Sequence, residues 1–230
     1  ICDTNNDGNS VGTANDWESP ALGASHSCAV RLDDTLWCWG DNVDGRLGDG
    51  TTMPRLEPVP VASIGGVVEA ACGAYHTCAV TAEGGLFCWG RNSEWQLGEG
   101  PAGGSLLPLG VVPPSGSWVS VTAGHYHTCA VSSEGSLYCW GSNDEGQLGD
   151  GTSVEKNRPT LIGASGTWRL AAAGDYHTCA AKTSGQLWCW GGNDDGQVGD
   201  GTADDRASPA GPVGATSDWS GLSLGAEHSC

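Results

Sequence analysis

Hydrophobic and polar residues alternate in short runs that end at glycine-rich turns along most of the chain. In one representative run, placing Cys78 opposite Cys88 sets Val80 against Leu86 and leaves residues 82–84 as the turn. A three-residue loop that ends in glycine closes many hairpins, because its last residue adopts the left-handed conformation. Residues directly opposite one another in an antiparallel pair are close enough for a disulfide. The pattern therefore predicts a β-hairpin stapled by a Cys78–Cys88 bond.

The same hairpin pattern recurs along the chain. Segments 26–40, 127–141 and 177–191 repeat it, with Asp34 standing where the other turns have glycine. The first cysteines of these hairpins, spaced 50 or 51 residues apart, are Cys28, Cys78, Cys129, Cys179 and Cys230. A period near fifty that is built of strands and turns is typical of propeller blades rather than of helical solenoids. We therefore predict an all-β fold, a β-propeller of about five blades with one disulfide-stapled hairpin per blade, forming a single domain over residues 1–230.

The two ends of the chain look like complementary parts of one repeat. The first residues resemble the second half of a hairpin, and the last twelve match residues 17–28 in length and end on the first cysteine of a hairpin. We interpret residues 1–16 and 217–230 as halves of one blade closed by a Cys2–Cys230 bond. The alternative is that Cys230 of one molecule bonds Cys2 of the next, because a head-to-tail contact that does not close generates a filament.

The cysteine content points to an oxidising compartment. Ten of the eleven cysteines fall into predicted pairs: Cys28 with Cys38, Cys78 with Cys88, Cys129 with Cys139, Cys179 with Cys189, and Cys2 with Cys230. Such pairs are rare where thiols are kept reduced, so we expect an extracellular, cell-surface or periplasmic protein. Cys72 is left over, and it is either a small buried thiol or the site of an intermolecular bond.

The charge and the hydropathy exclude several classes of partner. The chain carries 27 acidic and 9 basic residues, a formal net charge of −18. This charge repels nucleic acid and anionic membranes and favours cations or a basic partner. Because no apolar run is long enough to span a bilayer, we expect no membrane insertion. The chain also lacks an initiator Met and a signal-like segment, so we expect a mature or excised form.

Three recurring blocks carry a family resemblance. They are Gly-x-x-His-x-Cys-Ala-Val, Gly-x-Leu-x-Cys-Trp-Gly-x-Asn and Gly-Gln-Leu-Gly-Asp-Gly-Thr, as in residues 124–131 and 135–152. They resemble repeats of the regulator of chromosome condensation type over nearly all of residues 17–230. The resemblance implies a β-propeller of four-stranded blades, usually seven, whereas this chain has room for about five.

The resemblance also bears on function. The founding member activates a small nuclear GTPase and docks on chromatin, but cystine hairpins and strong acidity argue against that role here. The chain looks more like secreted bacterial members of the family, in which the fold serves as a binding surface. A shared fold does not by itself transfer a partner.

One metal site is predicted near the N-terminus. Asp3, Asn5 and Asp7, followed by Gly8 and the backbone carbonyl of Asn9, have the oxygen-ligand spacing of a calcium loop. The alternative reading of this segment is an ordinary repeat turn. Calcium is therefore the one cofactor that the sequence suggests.

The remaining candidates divide into structural and functional readings. A histidine recurs two residues before each first cysteine, at His26, His76, His127, His177 and His228. A ring of histidines could bind a metal, but a repeated hydrogen bond to backbone within each blade is the more economical account. The tryptophans that follow the second cysteines are expected in the core between blades. Trp95 stands where the other repeats have glycine, and we predict that it makes a surface contact.

Catalysis has little support in the sequence. No departure from the repeat gathers a nucleophile with a base, and the acidic residues lie mostly in repeated turns. We therefore predict a non-enzymatic extracellular β-propeller that binds a protein partner or self-associates. The alternatives are a filament subunit joined through its termini and, as a minority view, a propeller enzyme related to glycosidases.

Overall fold

The computed structural model describes residues 16–99, 102–163, 167–214, 219 and 221–230. The named elements of these residues are sixteen β-strands. They are β1 (Trp17–Leu22), β2 (His26–Arg31), β3 (Leu36–Gly40), β4 (Arg55–Pro60), β5 (Val67–Cys72), β6 (His76–Thr81), β7 (Leu86–Gly90), β8 (Ser105–Val111), β9 (Trp118–Ala123), β10 (His127–Ser132), β11 (Leu137–Gly141), β12 (Lys156–Leu161), β13 (Trp168–Ala173), β14 (His177–Lys182), β15 (Leu187–Gly191) and β16 (Arg206–Ala210).

Consecutive strands form four antiparallel sheets of four strands each: β1 to β4, β5 to β8, β9 to β12 and β13 to β16. We call these sheets blades 1 to 4. The predicted hairpin register is confirmed, since Cys78 pairs with Cys88 and Val80 with Leu86. Gly84 closes that turn with a φ of +81°, in the left-handed region that glycine enters without strain.

The predicted number of blades, about five, is wrong for the described part of the chain. The described residues form four sheets, and residues 211–214, 219 and 221–230 follow the last strand β16. Among the described residues of that segment, the pairing is a single bridge between Leu224 and Ser229. The described residues of the segment therefore begin a fifth repeat without completing a four-stranded sheet. Cys2 and the rest of residues 1–15 lie outside the described residues, so the shared terminal blade stays a prediction.

Burial follows from the position of each strand within its blade. The second strands β6 and β10 are buried at every position, because neighbouring blades cover both of their faces. The fourth strands form the outer edge of each blade and are partly exposed. Each of them contains a proline, which lacks the N–H of a ladder hydrogen bond and is tolerated on an edge. These residues are Pro58, Pro108, Pro159 and Pro209.

Tryptophans fill the interfaces between blades, as predicted. Trp89, Trp140 and Trp190 are fully buried. Their indole Nε1 atoms donate to backbone carbonyls in a loop of the preceding blade, at 3.0, 2.9 and 2.9 Å. Burying an indole requires a partner for its N–H, and the preceding loop supplies it. Each tryptophan thus fixes one blade against the next.

The disulfide predicted for each of the four complete hairpins is present, with Cα atoms 4.0 to 4.1 Å apart. A bond that closes so short a loop stabilises the fold by about 3 kcal/mol in the chain-entropy model. Cys72 is 8% exposed and its thiol is free, in line with the small buried thiol that is one of the two predictions for it. Four such bonds favour an oxidising environment.

In the described part of the chain there is no helix long and apolar enough to cross a membrane.

Candidate functional site: an aromatic row on the loop face

Each blade ends in two sets of loops, and one set defines a continuous surface. Arg46, in the loop between β3 and β4, donates to the Ser25 hydroxyl at 2.8 Å and to the Ala74 carbonyl at 3.0 Å. The loops between first and second strands and between third and fourth strands therefore meet at one end of the blades. We call this end the loop face. Its described residues are 23–25, 41–54, 73–75, 91–99, 102–104, 124–126, 142–155, 174–176 and 192–205.

The long loops of this face are held rigid by a buried asparagine. In blade 3 the Asn143 Oδ1 accepts the Leu148 N–H at 2.9 Å, and its Nδ2 donates to the Thr152 carbonyl at 2.9 Å. Asn42 and Asn193 make the equivalent bonds in blades 1 and 4. One side-chain amide therefore ties together positions five and nine residues away. The side chains that these long loops present are therefore held in place before any partner binds.

The repeated histidines bond across blades. The Nε2 atoms of His26, His76 and His127 lie 2.8, 2.7 and 2.9 Å from the Oγ1 atoms of Thr77, Thr128 and Thr178 in the following blade. His177 lies 2.9 Å from Ser229 Oγ in the same way. The prediction of a backbone bond within each blade is therefore wrong. The partner is a hydroxyl about fifty residues away, which the spacing within one repeat does not reveal.

The hydroxyl partners settle the protonation of these histidines. Thr77 Oγ1 donates to the Arg46 carbonyl at 2.7 Å, so it accepts the N–H of His26 Nε2. Burial lowers the pKa of His26, His76 and His127 to about 3. A ring whose Nε2 already carries its proton cannot take one from the adjacent hydroxyl. These pairs are structural links, and they do not form a nucleophile with its base.

Four aromatic rings run across blades 2 to 4 on the loop face. Tyr75 stacks on Tyr126 with ring centroids 5.1 Å apart and an interplanar angle of 14°. His125 lies 4.4 Å from Tyr126 and stacks on Tyr176 at 5.5 Å and 19°. The Tyr176 residue is 42% exposed. We call Tyr75, His125, Tyr126 and Tyr176 the aromatic row.

One end of the aromatic row is covered by cations of the chain itself. The guanidinium carbons of Arg46 and Arg91 lie 5.0 and 5.2 Å from the Tyr75 ring centroid, and Arg91 also lies 5.4 Å from Tyr126. Arg46 is buried and pairs with Asp44 at 2.5 Å and with Asp41 at 3.2 Å. The face of an aromatic ring attracts a guanidinium, and nearby carboxylates neutralise its charge, so this end of the row is already occupied by favourable cation–π contacts.

The other end of the row is acidic. Partial burial raises the pKa of Glu145, and a hydrogen bond to Asp205 and the nearby charges of Asp194 and Asp144 raise it further. Burial together with the charges of Asp175 and Glu145 raises the pKa of Tyr176. Negative charge therefore accumulates around the exposed ring of Tyr176.

A small cavity lies where the first strands of the repeats converge. It measures about 260 Å³, and its wall includes one residue from each of five repeats: Leu22, Cys72, Ala123, Ala173 and Leu224. Further along these strands, Glu69 accepts the Ser120 hydroxyl at 3.3 Å and the Val121 N–H at 3.2 Å. Burial raises the pKa of Glu69. Because both of its oxygens are bonded to blade 3, this carboxyl links two blades.

The predicted site residues fare differently in the structure. Trp95 is half-buried, with a φ of +61°, and its carbonyl accepts the Gly98 N–H at 3.0 Å. Its role in binding stays a prediction. Asp3, Asn5, Asp7 and Asn9 lie outside the described residues, so the calcium site also stays a prediction. In the described part of the chain, the one group with metal-ligating atoms close together is His26, Cys28 and Cys72, and the Cys28 sulfur is committed to a disulfide.

Sequence reasoning missed the aromatic row. A tyrosine immediately precedes the repeated histidine in three successive repeats, at Tyr75, Tyr126 and Tyr176. That regularity could have predicted tyrosines on the surface of the loops, because each tyrosine lies in a short turn that begins with glycine and leaves little room for a buried ring. What the sequence could not show is that rings fifty residues apart stack on one another.

Consecutive four-stranded antiparallel sheets that bury their shared faces around a common cavity define a repeat-built β-propeller protein. The chain belongs to the regulator of chromosome condensation (RCC1) repeat family. The family model matches residues 33–80, 83–131, 134–181 and 184–230.

Curated relatives align over more than half of the chain. The human E3 ubiquitin-protein ligase HERC2 is 33% identical over 145 residues, which are 62% of this chain and 3% of HERC2. The ultraviolet-B receptor UVR8 of Arabidopsis thaliana is 35% identical over 145 residues, which are 62% of this chain and 33% of UVR8. The chain therefore spans a third or less of the length of these relatives.

Solved structures share the fold. Human WBSCR16 superposes with a TM-score of 0.87 at 22% identity, covering 96% of this chain and 59% of that one. Yeast RCC1 (Prp20), in its complex with Kap60, superposes with a TM-score of 0.83 at 21% identity, covering 95% of this chain and 54% of that one. At this level of identity the likeness extends to the fold alone.

Proposed function

We propose that this protein is a non-enzymatic interaction module that binds a protein partner on its loop face, in an extracellular or cell-surface setting. The aromatic row carries the proposal. Tyrosine rings are enriched in protein interfaces, since they supply contact area at a small cost in conformational entropy. Here they stand on short turns, each closed by a 2.9 Å backbone hydrogen bond from the N–H of Gly73, Gly124 or Gly174 to the carbonyl of the following histidine. Little ordering is therefore required on binding. The four hairpin disulfides support the setting.

The comparisons support protein binding at the level of the family. Yeast RCC1 (Prp20) has been solved bound to Kap60, and a second structure of Prp20p is described together with its binding to Gsp1p and histones. Those partners belong to Prp20. For this chain we propose only that the shared fold serves as a surface for binding a protein.

A capture experiment with two matched variants tests the proposal. The loop-face variant combines Tyr126→Ala with Val154→Lys, and the control combines Leu32→Ala with Val112→Lys at the opposite end of the blades. Val154, Leu32 and Val112 are 60 to 70% exposed, so these three changes are comparable in their effect on folding. Each immobilised protein is incubated with proteins secreted by the source cells, and the retained proteins are quantified by mass spectrometry.

We expect at least one protein that the wild type and the control retain and the loop-face variant loses. Circular dichroism and the melting temperature establish that each variant is folded. Identical sets of retained proteins for all three would contradict binding through the loop face.

A second candidate function rests on Cys230. This residue is exposed, and its thiol is free while the cysteines of all four hairpins are paired. We propose as the alternative that Cys230 bonds Cys2 of a neighbouring molecule and builds a filament. On non-reducing gels a ladder that collapses to the chain mass on reduction would support it, and the C230S variant should abolish the ladder. A monomer whose mass shows an internal Cys2–Cys230 bond would instead support closure within one chain.

A further inference from the structure

We propose that Tyr176, Glu145 and Asp205 form a subsite that takes an arginine side chain from a basic segment of the partner. The inference rests on the proposed function, because it assigns a chemistry to the partner that the loop face binds. It differs from that function in naming one end of the aromatic row and one kind of side chain. The chain itself contains an occupied example of the same arrangement.

The occupied example lies around Tyr75. Two guanidinium groups cover this ring, from Arg46 in the loop of the preceding blade and from Arg91 in its own blade, at 5.0 and 5.2 Å. Asp44, also in the preceding loop, neutralises Arg46 at 2.5 Å. A tyrosine, a carboxylate and a guanidinium therefore form a complete set at this end of the row.

Because the loops repeat, each residue around Tyr75 has an equivalent position around Tyr176. Counted from the loop asparagines Asn42 and Asn143, the position of Asp44 is held by Glu145, and the position of Arg46 by Gln147. Counted from Asn92 and Asn193, the position of Arg91 is held by Gly192. The carboxylate is thus kept and both cations are missing. Within the described residues, no Arg or Lys side chain lies over the Tyr176 ring.

The space beside the ring is open. The Gln147 amide does not occupy it, because Oε1 accepts the Glu145 N–H and Nε2 donates to the Ser142 hydroxyl. Gly192 contributes no side chain. A Cβ placed there would lie 3.5 Å from the Tyr176 Cβ and 3.6 Å from the Glu145 Cβ. A cation entering over Gly192 would therefore meet the ring and the carboxylate together.

The charge around the opening is unbalanced. Within the described residues, Glu145, Asp205, Asp194 and Asp144 form no salt bridge. Partial burial raises the pKa of Glu145, and the neighbouring carboxylates raise it further. A bound guanidinium would supply the missing positive charge and bridge carboxylates through its fork of N–H donors. The planar group can also stack on the ring, which an ammonium cannot do as well.

The test uses the whole chain and three short peptides. Each is end-blocked, labelled with fluorescein and built of alternating glycine with four arginine, four lysine or four citrulline residues, citrulline being the uncharged isostere of arginine. Binding is followed by fluorescence anisotropy at about 0.15 M salt, where the Debye length is about 8 Å and distant charges contribute little. We expect the arginine peptide to bind more tightly than the lysine peptide and the citrulline peptide not to bind.

Matched variants locate the site. The double variant E145Q/D205N should weaken binding of the arginine peptide about tenfold. The control E57Q/E83Q makes the same change in net charge at exposed positions elsewhere. It should weaken binding less than about twofold. Y176A should lower the affinity about threefold and Y176F should leave it nearly unchanged, as expected for a cation over an exposed ring.

The most direct test places an arginine of the chain itself in the subsite. Gly192→Arg restores the arginine of the Tyr75 set, and the neighbouring atoms, 3.4 to 3.6 Å from an added Cβ, leave room for it. This variant should block the arginine peptide, while Gly192→Ala should bind it as the wild type does. Equal losses for the two double-charge variants, or unchanged binding by Gly192→Arg, would overturn the subsite. The capture experiment above would then decide independently whether the loop face still binds a protein.

Discussion

At the scale of single residues, the glycine of each Gly-x-x-His block has a steric reason. A Cβ added at Gly23, Gly73, Gly124 or Gly174 would lie 2.4 to 2.6 Å from the carbonyl oxygen of the corresponding glycine in the next repeat. The same Cβ would collide with the histidine ring of its own repeat. Successive repeats therefore approach so closely around the axial cavity that only a hydrogen fits between them.

Gly124→Ala should destabilise the fold by about 2 kcal/mol or more, since overpacking of an interior site typically costs 1 to 3 kcal/mol. The added Cβ would lie 2.4 Å from the Gly174 carbonyl oxygen and 2.3 Å from the His127 Cε1 atom. Gly65→Ala is the matched control, because nothing lies within 4 Å of a Cβ there. The free energy of unfolding in urea gives both values. Equal stability of the two variants would refute the steric account.

At the scale of strands and hairpins, the local geometry could be predicted and the contacts between blades could not. The pairing of Cys78 with Cys88 and the turn at Gly84 follow from residues within one short stretch. The bond from His76 to Thr128 joins residues 52 positions apart. The sequence of one repeat does not show which residues of the following blade face it. The prediction therefore placed the partner of the histidine within its own blade. The stacking of Tyr75 on Tyr126 was missed for the same reason.

The hydroxyl of Thr128 should contribute measurably to the joint between blades 2 and 3. It accepts from His76 Nε2 and donates to the Gln96 carbonyl at 2.8 Å. Thr128→Val leaves the buried His76 Nε2 group without a partner, whereas the Gln96 carbonyl still accepts the Trp140 indole N–H at 2.9 Å. The change should therefore cost about 1 to 3 kcal/mol, the cost of one unsatisfied buried group. Thr128→Ser keeps the hydroxyl and should cost about 1 kcal/mol or less. Urea unfolding that ranks the two variants equally would show that the hydrogen bonds do not matter.

At the scale of the whole molecule, the period fixed the class of fold but not the number of blades. A repeat of 50 or 51 residues predicts propeller blades, and the described part of the chain contains four complete blades. The fifth repeat was expected to be a blade, yet a sheet requires all four of its strands, and here the described segment supplies one bridge. Counting repeated cysteines therefore overestimates the number of sheets wherever a repeat is incomplete. The acidity of the molecule could be computed from composition, whereas its concentration around Tyr176 depends on which loops meet.

The buried histidines should make the stability of the whole molecule depend on pH. The pKa values of His26, His76 and His127 are about 3 in the folded protein, against 6.5 for an exposed histidine. Between these two values the unfolded chain binds more protons than the folded one, so stability falls as the pH falls. Burial likewise lowers the pKa of His177 to about 4. Four such groups give a slope of at most about 5 kcal/mol per pH unit, at 1.36 kcal/mol for each proton.

The relief of repulsion among the many acidic groups acts in the opposite direction as carboxylates become protonated, and it lies mostly below pH 5. The histidine slope should therefore be clearest between pH 6 and about 5. Urea unfolding across pH 5 to 7.5 measures it. His127→Gln should flatten the slope by about one quarter, because one of four linked protons is removed. A wild-type stability that does not fall between pH 6.5 and 5 would mean that these histidines bind protons in the folded state, which the hydroxyl partner on each Nε2 makes unfavourable.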